Sequence, residues 1–156
     1  GPGLHRGGAG IEKVYRVLEP GRISIHDDRE VVPPWGINGG LYGGTSAKWI
    51  VRAKTGEKER IPSKIDNLEV EAGDVIIFRT AGSGGWGDPY DRPAEEVARD
   101  VRYDLVSPEQ ALEGYGVVLG DDLALDVAAT ETLRAERKAE RGAPEPFNFG
   151  FTPEVA

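Results

Sequence analysis

The stretch VIIFRTAGSGGWGDP, Val75 to Pro89, decides how the chain is read. Its first six residues, Val75-Ile76-Ile77-Phe78-Arg79-Thr80, form the most apolar β-branched run in the sequence, which predicts a strand in the middle of a sheet. The next nine, Ala81 to Pro89, carry four glycines and cannot continue a strand or start a helix. After this loop the texture changes from β to α.

Working upstream, short apolar runs alternate with turn residues. Ile11 to Val17 leads into Pro20-Gly21 and the alternating Ile23 and Ile25, which reads as a hairpin. Val31 to Ser46, VVPPWGINGGLYGGTS, is too rich in Pro and Gly for a helix. Lys48 to Ala53 is strand-like, Lys58 to Ile61 returns, and Leu68 and Val70 open another alternating run. Ala72-Gly73-Asp74 turns the chain into the central strand, with Asp74 capping that turn.

Downstream, Pro93 to Val106 has apolar residues at helical spacing with Asp91 as N-cap, and Ser107-Pro108 opens a short helix ending at Gly114. Tyr115 to Leu119 is predicted as a short strand, and Ala124 to Arg141 as a last helix stopped by Gly142 and Pro144. The tail places Phe147, Phe149 and Phe151 at alternate positions, a set that is a liability in water and useful against a partner. The expected fold is α+β and mainly β: a glycine-rich antiparallel β domain over residues 1–119, then two or three helices in all, with residues 120–156 as helix and docking tail around a single core.

Composition narrows the function. With 22 Gly and 11 Pro spread between apolar runs, the chain is an ordered, turn-rich structure and not one low-complexity block. There is no cysteine, which excludes disulfides, thiolate metal sites and thiol nucleophiles. The net charge of -8 argues against nucleic acid, whose binders present clustered positive charge. No run reaches the roughly 20 apolar residues of a membrane span, so the expected setting is cytoplasmic. The chain begins at Gly1 and holds no methionine, which suggests a processed subunit or part of a longer protein.

No catalytic, cofactor-binding or metal site emerges. The glycines at 82, 84 and 87 match G-x-G-x-x-G, but Asp88-Pro89 stands where a helix would have to start, so tight packing explains them better than phosphate binding. His26-Asp27-Asp28 invites a metal, yet neighbouring side chains on a strand face opposite ways, which favours a solvated acidic turn. Trp35 and Trp86 each adjoin a glycine, and with Tyr42, Arg6 and the three phenylalanines they are the candidates for a subunit interface.

Five pieces stand in order: Gly1-Pro2-Gly3 with Arg6-Gly7-Gly8 and Gly10; Pro33-Pro34-Trp35-Gly36 with Gly39-Gly40; Gly73-Asp74-Val75; Gly82 to Pro89; and Asp100-Val101 followed by Val106-Ser107, Ala111 and Tyr115 to Val118. Together they resemble the carboxy-terminal part of the hydantoinase B family, which includes N-methylhydantoinases, 5-oxoprolinases and acetone and acetophenone carboxylases. Tyr103-Asp104 departs from the family's acidic residue and glycine. The resemblance implies an accessory, non-catalytic subunit, with larger hydantoinase-A-like and hydantoinase-B-like partners holding ATP and a divalent metal. It implies carboxylation of a ketone, as in an acetophenone-carboxylase-like complex, or opening of a cyclic amide. The residues alone leave a reading of another class, a stand-alone β module stacking a small ligand on Trp35, Tyr42 and Trp86.

Overall fold

The structure, a computed structural model, describes residues 1–142; Phe147, Phe149 and Phe151 lie outside the described residues. In chain order the elements are β1 (Glu12–Arg16), β2 (Gly21–His26), β3 (Ala47–Val51), β4 (Lys58–Arg60), β5 (Lys64–Val70), β6 (Val75–Arg79), a single 3-10 turn (Pro89–Asp91), and helices α1 (Ala94–Arg102), α2 (Pro108–Tyr115) and α3 (Val127–Arg141). Antiparallel sheets followed by three helices make it α+β. Two compact units share the described residues: a sheet unit of residues 9–34 and 44–83, and a helical unit of residues 1–8, 35–43 and 84–142.

In the sheet unit the strand order is β1-β6-β3-β4, with β2 and β5 as a separate antiparallel pair. The β-branched run β6 lies between two partners, as its sequence predicts. Strand periodicity then places Ile76 directly opposite Ile50. Both are buried, and Ile25, Ile61 and Val70 complete the cluster. The hairpin expected across Pro20-Gly21 does not form, because β1 pairs with β6 and β2 with β5. Alternation shows that Ile23 and Ile25 share a face, but only the complementary pattern of Leu68 and Ile65, with a bulge between, shows which strand they meet.

Several charges in this unit have individual partners. Lys48 opposes Phe78 in register, its side chain is wholly buried, and its ammonium pairs with Asp27 and lies 4.0 Å from Glu30. The run His26-Asp27-Asp28 therefore diverges: His26 meets Asp66 at 2.9 Å, Asp27 turns to Lys48, and Asp28 takes Lys64 at 3.0 Å. Asp74, only 2% exposed, accepts from the amides of Ala53 at 2.8 Å and Glu71 at 3.1 Å and from Arg52 at 3.3 Å. One carboxylate thus ties two turns to the start of β6.

The helical unit has its own cluster of Val97, Val101, Val106, Ala111, Tyr115 and Val117, so the single core expected from the sequence is two. Val97 and Val101 on α1, and Ala111 and Tyr115 on α2, are four apart and share one helical face each. The Ser107 hydroxyl caps α2 by accepting from the Gln110 amide at 3.2 Å, as expected. The helix passes Gly114 and ends at Gly116, whose φ of 60° suits glycine; Gly114 is small because a Cβ there would lie 2.6 Å from the Pro2 ring. Tyr115 consequently belongs to α2, and the expected strand after it reduces to one bridge, Leu119 to Leu125. Pro93, not Asp91, occupies the N-cap of α1, and α3 starts behind Asp126, which caps the Ala129 amide at 2.9 Å.

The Asp74 contacts give a pH signature. The Ala53 amide, then the Glu71 amide and Arg52, hold its carboxyl below the ordinary range against the opposing effect of burial. A depressed folded-state pKa stabilises above the unfolded value, near 3.9, and that contribution drains away as pH falls through the folded value. We expect Asp74→Asn to cost about 1–3 kcal/mol in urea unfolding at pH 7, and the gap from wild type to narrow below about pH 4. An equal gap at pH 7 and pH 3 would contradict this role.

Candidate subunit interface

Three glycine-bearing segments far apart in sequence, around residues 1–5, 36–41 and 84–87, meet within the helical unit through their backbones. His5 and Trp86 exchange amide bonds at 2.9 and 3.0 Å, and Leu4 donates to Gly87 at 3.2 Å. On the other side Ile37 donates to Gly85 at 2.9 Å and Gly87 to Ile37 at 2.9 Å. Gly85 donates to Leu41 at 2.9 Å and Leu41 to Pro2 at 2.8 Å. The amides that a phosphate would need at Gly85, Trp86 and Gly87 are spent on the chain's own carbonyls, so the G-x-G-x-x-G spacing is a packing device.

The approach is closer than any side chain permits. A Cβ would lie 1.8 Å from the Trp35 carbonyl oxygen at Gly84, 1.9 Å from that of Pro2 at Gly85, and 2.1 Å from that of Gly85 at Gly40. At Gly36 it would lie 2.1 Å from the Gly40 oxygen. Such backbone atoms cannot swing aside as a flexible side chain can. Glycine at these positions is therefore a steric requirement.

The seam presents its larger side chains outward. Trp86 is the middle of three bridged residues, antiparallel to His5 and parallel to Ile37, so the three project on one side. The His5 and Trp86 rings stand 5.4 Å apart at 39°. Trp86 is 46% exposed and Ile37 41%, with Trp35 at 40% and Tyr42 at 65% on the flanking residues. Four exposed apolar side chains thus stand on or beside one seam.

Arg6 is used inside the unit. Its Nε lies 3.1 Å from Oδ2 of Asp100, and Arg92 reaches the same oxygen at 3.0 Å while donating to the Leu4 carbonyl at 3.1 Å. Glu96, 3.1 Å from Arg92, supplies a second carboxylate. Asp100 is 4% exposed and Arg92 8%, so these pairs fasten the first segment to α1 away from water. Beside them Tyr115 is 1% exposed, and burial pushes its phenol above the usual value, against the pull of Arg92, Arg6 and the Gly3 amide. Sequence reading missed the Arg92–Asp100 pair; the eight-residue separation fits no local rule. Its one signal was Asp100 within the family-like pattern.

Residues 1–89 match the Hydantoinase B/oxoprolinase family. The chain belongs to that family. A putative D-/L-hydantoinase component of the B type, from Pseudomonas sp. strain NS671, is 32% identical over 133 residues, which is 85% of this chain and 22% of that protein. The ATP-dependent caprolactamase of Pseudomonas jessenii superposes with a TM-score of 0.72 at 28% identity, over 86% of this chain and 24% of that one. An ATP-dependent acetone carboxylase, nucleotide-free, gives a TM-score of 0.73 at 23% identity over 92% of this chain and 24% of that one, a likeness of fold alone. The chain thus spans about a quarter of the length of each of these three proteins.

Many of the family-like positions fall on the seam and its fastenings, among them Gly1 to Gly3, Arg6, Trp35-Gly36, Gly40, Gly84 to Gly87, Asp100 and Tyr115, while Gly73-Asp74-Val75 lies in the sheet unit. The departure at Asp104 keeps the backbone that glycine would adopt, with φ at 56°. The contacts at these Cβ positions make the glycines sharply unequal. Gly85→Ala should lose at least about 3 kcal/mol or fail to fold, whereas Gly21→Ala, with nothing within 4 Å of its Cβ, should stay within about 1 kcal/mol of wild type. Comparable losses in thermal or urea unfolding would refute the seam.

Proposed function

We propose that this chain is an accessory, non-catalytic segment of an ATP-dependent multisubunit enzyme, held against larger hydantoinase-A-like and hydantoinase-B-like parts. The supporting observation is the seam: its glycines spend their amides internally and present Trp86, Ile37, Trp35 and Tyr42 outward. Among the described residues, no three His, Asp or Glu side chains gather as metal ligands. On this reading ATP and a divalent metal belong to the larger parts. No helix among the described residues is long and apolar enough to cross a membrane.

For the reaction, opening of a cyclic amide is the better supported of the two. The named relatives with sequence identity above the fold-only range are a putative hydantoinase component at 32% and a caprolactamase at 28%. Carboxylation of a ketone, as in an acetophenone-carboxylase-like complex, rests on a fold likeness at 23% identity. Co-expression with the products of neighbouring reading frames separates them. The assembled complex should hydrolyse hydantoin, caprolactam or 5-oxoproline with ATP, and the chain alone should do nothing. Trp86→Asp should retain the chain's fold by circular dichroism and lower its recovery in the complex at least about tenfold. Turnover by the isolated chain, or unchanged assembly of the variant, would defeat the proposal.

A further inference from the structure

The sheet unit carries a second surface, chemically unlike the seam. Its four-stranded sheet buries one face through Ile50 and Ile76 and leaves another in which register aligns whole rows. One row is Arg16-Val75-Val51-Lys58; the next is Val14-Ile77-Trp49-Arg60; a third holds Glu12, Arg79 and Ala47. Val14 is 61% exposed, and Val75, Val51, Ile77 and Trp49 are each only partly covered.

Cations crowd the indole of this face. Lys58 stands 4.7 Å from the Trp49 ring centroid, Arg60 5.0 Å and Arg79 5.3 Å. Two of the four positive groups are neutralised, Arg79 by Glu12 at 3.1 Å and Arg60 by Glu30 at 2.9 Å. Arg16 and Lys58 have no ionic partner among the described residues, and both side chains are exposed. A chain of net charge -8 therefore gathers an uncompensated positive pair on one apolar sheet face.

We propose that this face docks an extended acidic segment of a partner subunit, a proposal that rests on the reading of this chain as one part of a complex. The row dictates the chemistry. Arg16 and Lys58 sit on strands three intervals apart, about 14 Å across the sheet, while two residues four apart on an extended strand are separated by about 13 Å. A segment of the form acidic-x-apolar-x-acidic thus sets one carboxylate against each cation and its middle apolar side chain over Val75 and Val51. A nucleic acid or an anionic membrane would supply charge without an apolar side chain set between two carboxylates.

The test uses the full chain assembled with the products of its neighbouring reading frames. A zero-length carbodiimide cross-linker, which joins amines to carboxylates, should link Lys58 to an Asp or Glu of another subunit. Wild-type affinity should fall as NaCl rises. Arg16→Glu with Lys58→Glu should weaken it about 10- to 100-fold and remove most of the salt dependence, with Arg16→Gln and Lys58→Gln intermediate. Links from Lys58 only to Glu145 or Glu154 of its own chain, or to a second copy, would overturn the proposal. So would binding of a single-stranded oligonucleotide or phosphatidylserine vesicles that the charge-reversed variant loses. A complex that forms with affinity and salt response unchanged by charge reversal sinks this inference alone; no complex at all sinks the parent reading too.

Discussion

The constraint on which the helical unit depends is the absence of Cβ atoms where three backbone segments cross. Gly84, Gly85, Gly40 and Gly36 place main chain against main chain at distances that exclude any side chain. Ordinary cores gain stability by burying apolar surface. Here the close approach instead lets backbone amides and carbonyls of distant segments satisfy one another without water. Everything larger is displaced outward, which is why Trp86, Ile37 and their neighbours face solvent in the chain by itself.

That arrangement needs fastening, since glycine segments have much backbone entropy to lose and little side-chain burial to offset it. Arg6 and Arg92 on one Asp100 oxygen, with Arg92 also on the Leu4 carbonyl, supply it in the helical unit. Asp74 does comparable work in the sheet unit, binding two turn amides and Arg52. In both places one buried carboxylate gathers donors from segments distant in sequence. A buried charge so satisfied costs a great deal to disturb on one side, which makes these two aspartates structural residues.

How far the sequence could be read follows from which signals are local. The β6 run, the Ser107-Pro108 helix start and the role of Asp74 were legible because periodicity and capping act over a few residues. The partner of β2 was not: alternation in Ile23 and Ile25 carries no address, and the address lay in Leu68 and Ile65. Gly114 misled because glycine stops helices and also allows close packing, and only the Pro2 ring distinguishes the two. Lys48 was placed in a strand without any hint that its ammonium is buried, since its partner Asp27 lies 21 residues away. Trp35 and Trp86 could be picked out beside their glycines, whereas nothing near Arg6 in the sequence announces its pairing with Asp100, 94 residues distant.

Family resemblance and seam overlap, since Gly1, Gly3, Gly36, Gly40, Gly84 and Gly85 belong to the family-like pieces and have Cβ positions occupied by backbone. The most direct measurement of this account is native-state amide hydrogen exchange on the isolated chain. The amides of His5, Ile37, Leu41, Gly85, Trp86 and Gly87 should exchange together and slowly, with protection rising to the level of the α2 core residues Ala111 and Tyr115. Exchange of the seam amides at the rate of an open glycine loop, while those core amides remain protected, would contradict it.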